Sequence, residues 1–247
     1  MTTAHPLEQV RLLDVQALDT RLRQLEHRRT SLPEHVRLAA LEAERVSLRD
    51  RLVVARTAVS DIERELRKAE TDVEQVRTRA ARDQSRLDSG QGSAKDLQAI
   101  QHELESLGRR QSELEDVELE VMERLESAQA AAQQVTDQLA AVEGQGAEVA
   151  AARDAALTDV ATEAGRVTDE RGDIASGLDG GLVALYEKIR ASSGGVAAAA
   201  LKAKRCEGCR IELTASDLGR IRNAPPDEVL RCDECRCILV RTTESGL

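Results

Sequence analysis

The chain has 247 residues, with 35 basic and 45 acidic side chains and a formal net charge of −10. It contains no Trp, no Phe and a single Tyr, Tyr186, so a large core filled with aromatic rings is excluded. Charged residues make up 32% of the chain, and a composition rich in Ala, Leu, Glu and Arg is typical of long helices and coiled coils. We therefore predict an elongated helical protein with a small second domain.

The N-terminal segment is amphipathic and breaks near residue 31. Leucines and a valine recur at helical spacing from Leu7 to Leu25, which predicts a first helix. Residues 31–34, Ser-Leu-Pro-Glu, combine a capping-box pattern with a proline suited to a first helical turn. The sequence predicts that one helix ends and another begins there.

Two long apolar runs follow, over residues 38–80 and 97–149, and both have the 3.5-residue spacing of a coiled-coil seam. Neither seam can be buried by one helix alone. The residues between them, 89–93, read Ser-Gly-Gln-Gly-Ser, and the two glycines allow the chain to reverse. We predict a long antiparallel coiled-coil hairpin with its tip near 89–93.

The hairpin continues to about residue 193. Symmetry about the tip places residues 7–29 against about 153–175. A further apolar stripe from Ile174 to Ile189 predicts a last helix, and the Ser-Ser-Gly-Gly sequence at 192–195 predicts its end. We assign 1–193 to the hairpin and 196–247 to a second domain.

All five cysteines lie in this second domain, and four of them form two CxxC pairs. Cys206 and Cys209 make the first pair, and Cys232 and Cys235 make the second. Two such knuckles supply the four thiolates that Zn²⁺ prefers, and four protein ligands leave no open position for substrate. We predict one structural zinc ion; an iron site and a dithiol redox motif are the alternatives. Cys237 is either a small buried strand residue, a competing ligand or an oxidisable thiol.

Short apolar segments surround the knuckles. We predict strands at 196–205, 211–213, 229–230 and 238–240 and a short helix from a capping box at Thr214 to about Asn223. Four alanines in 196–205 favour helix by propensity, but the flanking Gly pair and knuckle favour a leading strand. This order of strands, knuckles and one helix is that of a zinc ribbon, so the predicted fold class is mostly α with a small C-terminal C4 zinc ribbon.

Several segments resemble the bacterial C4-type zinc-ribbon family, whose members have an N-terminal coiled-coil hairpin. The matching pieces are the post-hinge segment 95–104, the tyrosine helix 185–189, and the two knuckle motifs 206–213 and 232–239. The family usually has Gly then Arg after the last ligand, where this chain has Arg236 and Cys237. The resemblance implies a non-catalytic adaptor or chaperone, with RNA binding or partnership with an alternative sigma factor or with flagellar and secretion components in some branches.

The charge distribution favours a protein partner over nucleic acid. Residues 1–195 carry 26 basic and 37 acidic side chains, which repel a phosphate backbone. Nucleic-acid binding is the alternative, and it would use basic residues of the ribbon and of the hairpin tip. The candidate contacts for either partner are Lys202, Lys204, Arg205, Arg210, Arg220, Arg222, Arg82, Arg86 and Lys95.

We predict no enzymatic activity, because no nucleophile, acid-base pair or phosphate-binding loop stands out. The segment 90–95 contains two glycines and a lysine, but it does not fit the spacing of a phosphate loop. The chain shows no signal-peptide pattern and no apolar run of membrane-spanning length. We expect a soluble cytoplasmic protein that does not bind membranes.

Overall fold

The computed structural model describes residues 2–247 and divides the chain into two compact units. The hairpin unit is Val36–Ala150, and the ribbon unit combines the N-terminal segment through His35 with Ala151–Leu247. The ribbon and the helices nearest to it therefore share one unit. The helices are α1 (Pro6–Thr30), α2 (Pro33–Asp88), α3 (Ala94–Ser176), α4 (Gly180–Ser192) and α5 (Ala215–Asn223), and the strands are β1 (Ala198–Lys202), β2 (Arg205–Cys206) and β3 (Ile238–Val240).

Within the hairpin unit, α2 and α3 run antiparallel. The ion pairs Arg49–Glu143 at 2.8 Å and Arg77–Glu115 at 2.6 Å show that residue numbers rise along one helix as they fall along the other. The buried apolar residues of this unit all lie at predicted seam positions: Leu41, Leu48, Leu52, Ala69, Val73, Leu107, Val121, Val135 and Val142. The reversal falls at the predicted tip, where Gly90 has φ +62° and Gly92 has φ +136°.

In the ribbon unit, α1 packs against the last part of α3, as the symmetry about the tip predicts. Leu25 is buried with Val160 and Val167, and Arg21 pairs with Glu163 at 2.5 Å. The predicted break at 31–34 is present because α1 ends at Thr30 and α2 begins at Pro33. Ser31 forms the C-cap of α1, its N–H bonded to the carbonyl of His27. The Ser31 hydroxyl also donates to the carbonyl of His27 at 2.7 Å, so Ser31 caps the end of α1 and not, as the capping-box pattern predicts, the start of α2.

The ribbon contains a three-stranded sheet in the order β2-β1-β3. Strands β1 and β2 are antiparallel, whereas β1 and β3 are parallel with Ala198 opposite Ile238. The leading strand is therefore confirmed over helix, since pairing on both sides outweighs the alanine propensity. Thr214 caps α5 as predicted, its hydroxyl accepting from the N–H of Asp217 at 3.2 Å.

Two of the predicted short strands do not form. The segment 211–213 makes only an isolated bridge between Arg205 and Glu212, and bridges at Glu228 and Arg231 flank residues 229–230. The reason lies in the partners available: the edge beside residue 228 is covered by the N-terminal segment, with Ala4 N–H bonded to the carbonyl of Asp227 at 2.8 Å. Single bridges there replace continuous ladders.

Candidate metal centre

The two knuckles have the same backbone geometry. The N–H of Arg210 donates to the carbonyl of Cys206 at 2.7 Å, and the N–H of Arg236 donates to the carbonyl of Cys232 at 2.9 Å. Both arginines have positive φ, +60° and +65°, a conformation that glycine adopts more easily. Arg236 thus takes the backbone conformation of the glycine that the family usually has, and the second knuckle closes without it.

The four knuckle cysteines come together as the spacing predicts. Their Sγ atoms all lie within 4.8 Å of one another, with Cys206 Sγ 3.8 Å from Cys235 Sγ and Cys209 Sγ 3.9 Å from Cys232 Sγ. A tetrahedron with Zn–S bonds of about 2.3 Å has sulfur–sulfur edges of about 3.8 Å. The donor set therefore fits one structural zinc ion, and its four thiolates leave no coordination position for a substrate.

Cys237 is a fifth thiol in contact with this cluster. It is buried, and its Sγ lies 3.3 Å from Cys235 Sγ and 3.7 Å from Cys206 Sγ. The hydrogen bond with Cys237 lowers the pKa of the Cys206 thiol to about 4. The contact with Cys206, together with burial, raises the pKa of Cys237 above its usual range. Cys237 is therefore a fifth, buried thiol in contact with two of the four metal ligands.

The side chain of Gln16 ties the start of the ribbon to α1. Its Oε1 accepts from the N–H groups of Ala197 at 2.7 Å and Ala198 at 3.1 Å, and its Nε2 donates to the carbonyl of Gly195 at 3.0 Å. Nearby, Arg23 donates to the carbonyl of Gly194 at 2.8 Å. The glycine segment that precedes the ribbon is thus bonded to α1 at several points.

Asp19 is the centre of a buried polar cluster beside Gln16. Its side chain is 1% exposed and accepts from Tyr186 Oη at 2.7 Å, Arg171 Nε at 3.0 Å and Arg190 at 3.1 Å. Arg171 also pairs with Glu187. Burial opposes the charge of Arg171, but the bonds to Asp19 and Glu187 raise its pKa above the usual value. Each buried charge thus has a partner from another helix.

Sequence reasoning missed both Gln16 and Asp19, because their partners lie more than 150 residues away in the chain. One signal was available: the single tyrosine falls on the apolar stripe of α4, and a buried phenol needs a polar partner. Tyr186 is fully buried in the cluster that joins α1, α4, β1 and β3. The ribbon is therefore packed on these helices through apolar as well as polar contacts.

Most basic residues of the ribbon already have acidic or carbonyl partners. Lys202 pairs with Glu244 at 2.8 Å, and Arg220 pairs with Asp217 and Asp233. Of the other candidate contacts, Arg205 lies 4.0 Å from Glu212. Exposed positions are occupied by Lys204, Arg210 and Arg222. Five of the nine basic side chains in 196–247 are bonded in this way, counting Arg231 and Arg241, which donate to backbone carbonyls.

The basic residues predicted at the hairpin tip belong to the other compact unit. Arg86 is 3.7 Å from Asp83, and Arg79 pairs with Glu103 at 2.7 Å. Arg82 and Lys95 are both exposed. The predicted tip contacts and the predicted ribbon contacts therefore belong to different compact units.

Fold and site together define a zinc-ribbon protein with a coiled-coil hairpin. The chain belongs to the CT398-like coiled coil hairpin domain family, whose sequence model matches residues 15–194. A C4-type zinc ribbon domain matches residues 205–239. These matches confirm the family resemblance, and neither family is a family of enzymes.

The chain is similar to several mycobacterial proteins. An uncharacterized protein of Mycobacterium tuberculosis is 39% identical over 237 residues, and the match covers 95% of each chain. An uncharacterized protein of Mycobacterium leprae is 31% identical over 225 residues, and that match covers 90% of this chain and 95% of the relative. A solved Mycobacterium smegmatis structure is 37% identical with a TM-score of 0.82, covering 97% of this chain and 100% of its own. CT398 from Chlamydia trachomatis shares the fold, with a TM-score of 0.61 at 15% identity and coverage of 95% and 98%.

Among residues 2–247, no helix combines the length and the apolar character needed to cross a bilayer.

Proposed function

We propose that this protein is a non-catalytic adaptor that binds a protein partner through an acidic surface of its hairpin unit. The surface, called the acidic belt here, comprises residues 61–74 of α2 and 113–126 of α3. The first stretch carries six acidic and three basic side chains, and the second carries seven acidic side chains and one basic side chain. Together they have a net charge of −9, against −10 for the whole chain. Arg124 and Glu65, 3.0 Å apart, place the two stretches side by side.

The observation that carries the proposal is the presence of large apolar side chains exposed within this belt. Leu119 is 58% exposed and Met122 is 48% exposed. Glu123 and Glu126 are exposed as well, and spacings of three, four and seven residues place all four on one face of α3. This face needs no apolar residue for the hairpin itself, because the seam residue Val121 is buried separately.

The chemistry of the belt selects the kind of partner. A surface with net negative charge and exposed Leu and Met side chains is complementary to a basic amphipathic helix, whose lysines or arginines flank an apolar stripe. A phosphate backbone lacks the apolar stripe and is repelled by the charge. A second copy of this belt would be repelled for the same reason.

The ribbon supports an adaptor role because zinc and the contacts with α1 hold it rigid. Five of its nine basic side chains have acidic or carbonyl partners within the unit, and the zinc centre itself contributes a charge of about −2 with four thiolates. These features favour a protein partner over nucleic acid for this domain too. Thiolate ligands are stable in a reducing compartment, and we place the protein in the cytoplasm.

Binding of a defined probe tests the proposal. The probe is a fluorescent synthetic helix with a Leu-Lys-Lys-Leu repeat, and its counterpart has Glu in place of Lys. Fluorescence anisotropy with the zinc-loaded full chain should show binding of the basic helix only, weakening as salt is added. Glu123→Lys with Glu126→Lys should abolish most of this binding, and Leu119→Ser should weaken it without changing its salt dependence.

Matched controls separate the belt from general charge attraction. Asp159→Lys with Asp169→Lys changes the net charge equally at exposed positions outside the belt, and Val54→Ser removes an exposed apolar side chain elsewhere on α2. Both should bind like the unaltered protein. Equal losses in the control and belt variants would refute the belt as the site. Binding of labelled RNA at low salt with no binding of the basic helix would favour the nucleic-acid alternative.

A further inference from the structure

The fifth cysteine is a thiol that a C4 zinc site does not need. Cys237 lies just before β3, and its carbonyl accepts from the N–H of Cys232 at 3.0 Å. Its side chain is 1% exposed. Since Cys206, Cys209, Cys232 and Cys235 complete a tetrahedral shell, Cys237 is a spare thiol next to two ligand sulfurs.

The Cys237 sulfur is confined beside the ligands by its surroundings. A Cβ atom added at Gly208 would lie 3.2 Å from Cys237 Sγ and 3.1 Å from the Ala199 side chain, so the first knuckle packs directly over it. The shorter of the two sulfur–sulfur contacts of Cys237 is with Cys235, at 3.3 Å. A reaction at Cys235 sulfur would therefore occur with a second thiol already in contact.

Solvent exposure differs among the four ligand cysteines, and this difference also points to Cys235. Cys206 and Cys232 are buried, whereas Cys209 and Cys235 are partly exposed. A small oxidant can reach the partly exposed pair, and of these two only Cys235 has its sulfur in contact with the Cys237 sulfur. Cys235 thus combines access from solvent with a neighbouring thiol.

We propose that Cys235 and Cys237 form a hydroperoxide-sensitive pair whose oxidation to a disulfide releases the zinc ion. This proposal rests on the zinc site and is independent of the acidic belt.

The chemistry has two steps. The Cys235 thiolate attacks one oxygen of hydrogen peroxide; an S–O bond forms, the O–O bond breaks and hydroxide leaves, which gives a sulfenic acid. The hydroxide released in this step takes the Cys237 proton and becomes water. The Cys237 thiolate then attacks the Cys235 sulfur; the S–S bond forms, the S–O bond breaks and hydroxide departs. The two sulfurs are oxidised and one peroxide is reduced to water and hydroxide. Zinc keeps three thiolates and dissociates, because a disulfide sulfur is a poor ligand.

Trypsin makes the predicted disulfide easy to identify. Cleavage after Arg231, Arg236 and Arg241 separates Cys235, in peptide 232–236, from Cys237, in peptide 237–241. The zinc-loaded full chain is treated with hydrogen peroxide, zinc release is followed with a chromogenic chelator, and remaining thiols are blocked before digestion. We expect one zinc released for each linked pair of these peptides, with fragmentation placing the bond at Cys235, and recovery after thiol reduction with added zinc.

Variants test the role of the spare thiol. Cys237→Ala should slow zinc release by roughly tenfold or more, because the neighbouring thiol no longer captures the oxidised sulfur intramolecularly. Cys237→Ser provides a second replacement. Val240→Ala, a truncation in the buried strand that follows Cys237, should release zinc at the original rate. Zinc content before oxidation establishes that each variant is loaded.

Three results would overturn the proposal. They are a disulfide within peptide 232–236, a link from Cys237 to peptide 206–210, and zinc release from Cys237→Ala at the rate of the unaltered protein. The disulfide map of the unaltered chain decides the first two even if neither replacement at Cys237 retains zinc.

Discussion

Gln16 offers the sharpest test of how the ribbon is held on the helices. Gln16→Leu keeps a side chain of similar size but removes the acceptor of two buried N–H groups, those of Ala197 and Ala198. Both alanines are almost fully buried. Each orphaned buried donor costs about 1–3 kcal/mol, so we expect the two together to lower the stability of the ribbon unit by about 2–6 kcal/mol.

Hydrogen exchange of the zinc-loaded protein is the appropriate assay, because it reports the two amides individually. We expect the Ala197 and Ala198 amides to exchange far faster in Gln16→Leu, while amides of the hairpin seam around Val121 are unchanged. Gln24→Leu is the control, since Gln24 is exposed on the same helix and exposed substitutions change stability by about 0.5 kcal/mol or less. Equal exchange in the two variants would refute the assigned role of Gln16.

Three more predictions concern the ribbon unit. Burial and the bond to Asp19 raise the pKa of Tyr186 above 10.0. The neutral phenol therefore contributes fully to the free energy of unfolding below pH about 10, and this contribution is lost as pH rises further, at up to about 1.4 kcal/mol per pH unit. Absorbance from tyrosinate should appear only as the protein unfolds. Deleting residues 2–4 should speed exchange of the Val229 amide, whose carbonyl partner is Thr2 at 3.1 Å, and unchanged exchange would contradict this. Arg236→Gly relieves a positive φ of 65° and should leave thermal stability equal or higher by up to about 1 kcal/mol, whereas a clear loss would show that the arginine side chain matters.

The sequence by itself determined the architecture wherever the signal is local and periodic. The 3.5-residue spacing predicted every buried seam position of the hairpin unit, and two glycines located its tip, because these features depend on neighbours within a few turns. The two CxxC pairs predicted the thiol cluster for a similar reason, since each pair forms one tight knuckle whatever surrounds it.

Only the tertiary structure decided how the ribbon meets the helices. In the sequence, Gln16 and Asp19 look like ordinary polar residues of an amphipathic helix. Their role depends on hydrogen bonds with α4 and with the start of β1, which lie more than 150 positions away in the chain. The same holds for Cys237, whose contact with Cys235 depends on the turn taken at Arg236, and for residues 229–230, where the N-terminal segment limits pairing to single bridges. Long-range partners of this kind leave no periodic mark on the sequence, because each is a single contact set by packing.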